Sequence, residues 1–328
     1  MAVPEPLLEQ GSARSRALRG LERPDTRVRG AAFALKLGVC LALTCVGAVL
    51  AVGGPVLARV VGTLLLGLMF AHAAELQHEA LHHLGFRSRR ANTVSGVVLG
   101  APMLIAYSAY RAAHLRHHRD LGTPRNREFF DYGDQYGDAA DAGAGAGGVR
   151  SSLARGWAWA VRLSMAAHYA RFVRDLSLAL RGADLPGESP ATSRRIRRDL
   201  RTIALLILLL TLASVLFGRA LVVWEWLVPL VLVAGPVHAL VELPEHYRCQ
   251  TLDPDPFANT RTIRSNRLMA WFTNGNNFHV EHHLMPNLPI GRLGQLHAQV
   301  RSRLVHYHPG YVHFLRSLLR PRSGADRA

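Results

Sequence analysis

Three histidine groups carry the chemistry open to this chain. They read His78-Glu-Ala-Leu-His82-His83, His114-Leu-Arg-His117-His118 and His279-Val-Glu-His282-His283, and a solitary His246 stands between the second and third. On a helix, positions i, i+3 and i+4 share a face, so each group is expected to aim two or three imidazoles at one spot. Imidazole binds iron, zinc, copper and nickel. Three such groups, two with identical His-x-x-His-His spacing, offer enough nitrogen donors for two metal ions. The three cysteines, Cys40, Cys45 and Cys249, form no Cys-x-x-Cys pair, so neither an iron–sulfur site nor a zinc ribbon nor a disulfide framework is expected.

The elements that must position these groups are membrane spans. Of 328 residues, 49% are hydrophobic although the net charge is +16, and the apolar residues fall in blocks rather than evenly. Spans are expected at about 31–52, 56–76, 203–217 and 221–241, paired into two hairpins by Gly53-Gly54-Pro55 and Gly218-Arg219-Ala220. Residues 1–30 read as a basic cytoplasmic tail, not a cleaved leader, and residues 316–328 as a polar tail. Arg87, Arg89 and Arg90 follow the second span, and Arg194, Arg195, Arg197, Arg198 and Arg201 precede the third. The positive-inside rule therefore puts both termini and all the histidine groups on the cytoplasmic side.

Between the hairpins, residues 93–110 are expected as a re-entrant or interfacial helix leading to the second histidine group. Residues 153–181, which mix tryptophan and leucine with arginine, are expected as one interfacial helix. A low-complexity loop is expected at about 133–149. The fold class is thus all-α integral membrane, with a cytoplasmic helical cap carrying the histidines. Nucleic-acid binding is not expected: Lys36 is the only lysine, and no basic patch is interleaved with aromatic residues. A metal transporter would place its ligands near the bilayer midplane, whereas these groups lie beyond the span ends.

The stretch Asn274-Gly-Asn-Asn-Phe-His279-Val-Glu-His-His283-Leu-Met-Pro286-Asn-Leu-Pro289 resembles the third histidine box of the integral-membrane fatty acid desaturase and hydroxylase superfamily. The segment from Glu245-His246 to Arg261-Thr262 is similar to what precedes that box in bacterial members. The likeness covers about residues 30–315. It implies two iron ions in an almost all-histidine shell: His78 and His82 from the first box; His114, His117 and His118 from the second; His279, His282 and His283 from the third; and His246. The first box satisfies both His-x3-His and His-x4-His, so His83 competes with His82; His82 is the expected ligand and His83 its neighbour. Glu242, Glu281 and Asn277 are expected just outside the ligands, Glu242 because some relatives carry a water-linked polar residue there. Glu79 and Asp120 also sit inside or beside the boxes, and ligating histidines usually donate their other ring N–H to a carboxylate or carbonyl, a role expected of Glu281. Residues Asp120 to Tyr132 depart from the family pattern.

An unactivated methylene C–H bond is beyond side-chain acid–base chemistry. The resemblance accordingly implies an O2-dependent lipid desaturase, or a hydroxylase or ketolase of lipids, carotenoids or alkanes. With no flavin, haem or iron–sulfur motif in the chain, electrons are expected from a ferredoxin or a cytochrome b5-like donor with its reductase. His72 is expected to be buried and hydrogen-bonded, and His168, His238, His297, His306, His308 and His313 to lie outside the centre.

Overall fold

Gly53, Gly54 and Pro55 break one apolar run into two antiparallel helices, α1 (Gly30–Gly53) and α2 (Val56–Leu81). The computed structural model describes residues 13–22, 24–130 and 149–318; the low-complexity loop expected at about 133–149 lies almost wholly outside the described residues. After α2 come α3 (Arg89–Gly100), α4 (Tyr107–Asp120), α5 (Val149–Leu163) and α6 (Ala166–Leu180). The second hairpin is α7 (Pro190–Leu216) and α8 (Val222–Glu242). Four helices, α1, α2, α7 and α8, are long and apolar enough to cross a membrane.

The first hairpin and the joint between the two hairpins both close through small residues. A Cβ on Gly62 would lie 2.5 Å from the Ala51 nitrogen, so α1 and α2 touch backbone to backbone. A Cβ on Gly67 would lie 2.3 Å from Val233 Cβ, which marks where the two hairpins meet. Lipid gives helices no hydrophobic drive to associate, so close backbone approach of this kind supplies the packing. The opposite faces carry exposed Leu35, Val49, Leu205 and Leu208, side chains that suit contact with hydrocarbon.

Three expected elements differ in extent. The third span is the end of a longer helix that begins at Pro190, where Ser189 caps it by accepting from the Thr192 amide at 3.2 Å. Arginine is a good helix former, so the basic stretch continues the helix past the apolar block instead of ending it. The 93–110 segment is two helices bent by 98°, Arg89–Met103 and Tyr107–Asp120. Leu104, at φ +59°, makes the bend. The helix expected over 153–181 is likewise broken at Met165, φ +54°, into α5 and α6. Its two halves follow one amphipathic pattern, which is why periodicity alone reads them as continuous.

The chain beyond α8 builds the cap. Strand β1 (Arg261–Ile263) pairs in parallel with β2 (His306–His308), Thr262 opposite Tyr307. Between the strands lie α9 (Arg267–Phe272), α10 (His279–Leu284) and α11 (Leu293–Val300); α12 (Tyr311–Leu318) follows β2. Part of the segment expected as a basic tail packs here. Ala17 is buried, and the Arg14 Nε donates to the Leu284 carbonyl at 3.0 Å, which ties residues 13–22 to α10.

Candidate metal centre

Helix α2 ends as it delivers His78 in its last turn and His82 at its C-cap. Helix α4 brings His114, His117 and His118, α10 brings His279, His282 and His283, and the turn after α8 brings His246. These side chains converge in two groups. In the first, donor nitrogens of His78, His82, His114 and His282 lie within 4.8 Å of one another; in the second, those of His117, His246, His279 and His283 do. His118 joins the first, its Nε2 at 2.9 Å from the Nε2 of both His114 and His282.

Each box aims two imidazoles at one group, and in the second and third boxes the remaining histidine faces the other group. His114 and His118 face the first group while His117 faces the second; His279 and His283 face the second while His282 faces the first. The i, i+4 pair stays together and its neighbour, turned by about 100°, crosses to the other group. A His-x-x-His-His box therefore bridges two sites.

The contacts within the groups fit a shared cation better than hydrogen bonding. The His114 Nε2 lies 2.8, 3.0 and 2.9 Å from the Nε2 atoms of His78, His82 and His118. One ring nitrogen carries at most one proton, so it cannot satisfy three like neighbours. Burial, reinforced by the other imidazoles, holds His82, His114, His118, His279, His282 and His283 well below the usual histidine range. Burial likewise takes His246 down to about 4. Neutral imidazole is the ligating form, and a donor set of this kind suits iron, zinc, copper or nickel.

Two of the ring nitrogens that face outward are held, whereas the Nδ1 atoms of His279 and His282 are buried without a partner. His246 Nδ1 donates to the Asn259 carbonyl at 2.9 Å. His117 Nδ1 donates to Asn126 Oδ1 at 2.8 Å and lies 2.6 Å from Glu128 Oε1. Burial opposes charge on His117, but Glu128 and Asn126 outweigh it and move its pKa up. Such contacts fix the tautomer and leave Nε2 for a metal.

The residues expected around the ligands are placed differently. Glu281 is fully buried, yet it accepts from Thr262 Oγ1 and pairs with His297 Nδ1, both at 2.6 Å, so it clamps α10 onto β1 and α11. Asn277 donates to the Ile263 carbonyl at 2.8 Å and also secures β1. Its neighbour Asn276 reaches Glu75 at 2.6 Å beside the centre, because Asn274 and Gly275, at φ +51° and +86°, shift the phase of the loop. His83 leaves the helix at φ +60° and joins neither group, its Nδ1 buried without a partner. Glu242 lies 3.4 Å from His238, and Asp120 pairs with Arg119. Glu79 accepts from Asn274 at 2.9 Å. His72, as expected, is buried, bonded to the Phe272 carbonyl at 2.7 Å and stacked on Trp271.

Glu75, Glu128, Glu245, Asn276 and His238 escape a reading by histidine spacing. The ionic neighbours of Glu75, Glu242 and Glu245 are imidazoles: Glu75 and Glu242 flank His238 at 3.5 and 3.4 Å, and Glu245 Oε2 lies 3.2 Å from His279 Nε2. Glu245 follows the motif Glu-x-x-Glu-His at the end of the last apolar block, which is the one signal that could have found it. Glu128 lies in the stretch without family pattern.

Fold and site together define a helical membrane protein with paired histidine clusters able to hold two metal ions. The fatty acid desaturase family matches residues 54–315, and the chain belongs to that family. Membership makes it an oxidoreductase of the desaturase or hydroxylase type acting on lipid. No curated protein matches the chain.

Proposed function

We propose that this protein is an O2-dependent lipid desaturase that introduces a double bond into a fatty acyl chain. The observation that carries this reading is the convergence of His78, His82, His114, His118 and His282, and of His117, His246, His279 and His283, into adjacent groups at one end of the spans. Two iron ions held there would supply activation of O2 and cleavage of the C–H bonds, chemistry beyond any side chain. Removal of two hydrogens from adjacent carbons leaves the C=C bond; two electrons and two protons from outside complete the reduction of O2 to two waters.

The chain's own residues bind and orient. Tyr110, Phe129 and Phe130 form an aromatic wall over a cavity that His78, His114 and His279 also line. An acyl methylene would pack on this wall, while Glu128, Glu242, Glu245 and Asn276 line the rest of the same cavity. Helices α2 and α8 both end here, so a chain from the bilayer reaches the centre without crossing it.

The arginine-rich ends of α2 and α7 support a cytoplasmic face in a bacterial inner membrane, with both termini on that side. The same charge suits an acidic ferredoxin or cytochrome b5-like donor. Turnover with ferredoxin should therefore fall as salt rises; salt-independent turnover would count against that donor face.

Lipid profiling by gas chromatography–mass spectrometry tests the activity. The protein is expressed with a ferredoxin and its reductase beside His282→Ala. A new unsaturated chain absent from the variant is expected. A hydroxylated or keto product would move the assignment to the sister chemistry, and metal flux into vesicles without O2 consumption would overturn it.

A further inference from the structure

The two histidine groups are unequal. The first offers five Nε2 donors, from His78, His82, His114, His118 and His282; the second offers four, from His117, His246, His279 and His283. We propose that Glu245 is the fifth ligand of the ion in the second group, so that the two ions of this chain sit in different donor sets, one all nitrogen and one nitrogen with a carboxylate. The proposal rests on the dinuclear reading above.

Spacing is the first argument. Within the second group, the Nε2 pairs His117–His283, His279–His283 and His246–His279 are each 3.2 Å apart. Glu245 Oε2 lies 3.2 Å from His279 Nε2, the same spacing, and it approaches the nitrogen that faces the group. Two donors each about 2.1 Å from one ion are about 3.0 Å apart at a right angle and about 3.4 Å apart at a tetrahedral angle. The carboxylate oxygen thus stands at ligand spacing from His279, just outside the 4.8 Å mutual span that the four imidazoles share.

Rigidity is the second. Glu245 lies in the turn that also carries His246, and its carbonyl accepts from the Arg261 amide at 2.9 Å. The Arg261 guanidinium, itself buried, donates to the Pro244 and Tyr247 carbonyls at 2.7 Å each. The turn is pinned to β1 on both sides of Glu245, which preorganises the carboxylate.

Charge is the third. Two divalent ions on neutral imidazoles would leave their full positive charge in a buried site. A buried charge is tolerated when it is paired or ligated. Glu245 lines, with Glu128 and Glu242, a cavity that also borders His78, His114 and His279, and Glu128 Oε1 lies 3.7 Å from His246 Nε2.

The test is Mössbauer spectroscopy of full-length protein loaded anaerobically with 57Fe(II) alone, wild type against Glu245→Gln, with folding checked by circular dichroism and gel filtration. Two unlike doublets of equal area are expected in the wild type. In Glu245→Gln one doublet changes or is lost, with affinity for one of two irons falling by more than about 100-fold, beyond what outer contacts to ligands provide. Two irons with both doublets unchanged would overturn the proposal and leave the dinuclear reading intact. A wild type that binds no second iron would overturn both. Should Glu245→Gln fail to fold, infrared difference spectra of wild type labelled with 13C-carboxyl glutamate decide: iron must shift a glutamate carboxylate stretch, and no shift overturns the proposal.

Discussion

His118 and His282 come from different halves of the chain, 164 residues apart, and place their Nε2 atoms 2.9 Å from each other. Each sits beside a histidine of the other group, His117 and His283, whose Nε2 atoms are 3.2 Å apart. The second and third boxes thus run side by side, each feeding both groups. Loss of α10 would empty both sites at once, so the centre forms only when the cap docks on the span ends.

The turn of the first box separates His82 from His83. His82→Ala should lose about one iron per chain and all measurable turnover. His83→Gly should keep both irons and wild-type activity, because glycine adopts the φ of +60° there without the ~1 kcal/mol that a side chain pays. Iron per chain after gel filtration checks both; loss of iron in the glycine variant would assign His83 to the centre.

Glu281 binds no clustered imidazole, and its work is structural. Glu281→Gln should lower stability by about 1–3 kcal/mol, the cost of leaving buried partners unsatisfied. His297→Ala should cost a comparable amount, and the double variant less than the two together, since they share one contact. Thermal unfolding of the three variants gives the coupling; strict additivity would place Glu281 elsewhere.

The joint between the hairpins is set by Gly67. Gly67→Ala puts a methyl group into Val233 and should destabilise by about 1–3 kcal/mol, with lower yield of folded protein. Val233→Gly in the same chain removes the opposing carbon and should restore part of the loss. Detergent-resistant folded fraction on gel filtration measures it, and a fully stable Gly67→Ala would mean that the hairpins can separate there.

His168 lies outside the metal groups, buried, with its Nε2 donating to the Met103 carbonyl at 3.0 Å. Burial takes its pKa down to about 3. Unfolding therefore takes up a proton below about pH 6.5, the ordinary histidine value. The stability it contributes is complete above about pH 6.5 and declines as pH falls toward about 3. His168→Gln keeps a donor for Met103, so metal-free variant and metal-free wild type should converge in stability as pH drops from about 6.5 to 4. Parallel pH profiles would show that His168 is charged in the folded protein.

Much of this architecture is legible in the chain because it is written in local patterns. The apolar blocks and glycine turns give four spans in two hairpins, and the boxes bring their histidines to the same end. What escaped is tertiary. Helical phase alone cannot tell that His117 and His282 cross between groups, since that depends on how α4 and α10 face each other. Asn277 is the asparagine expected beside the ligands, yet two positive-φ residues upstream bring Asn276 there instead. Glu281 sits inside a box yet serves His297, sixteen positions on. Glu128 and Glu245 reach the centre from a loop and a turn, where no periodicity marks them.

The measurement that bears most directly on the account is the metal content of the purified full-length protein, with the ion identified by Mössbauer spectroscopy, beside His282→Ala and His279→Ala. The account predicts two irons per chain in the wild type and about one in each variant, each having lost a ligand from a different group. A single iron, or zinc in its place, with content unchanged in both variants, would contradict it.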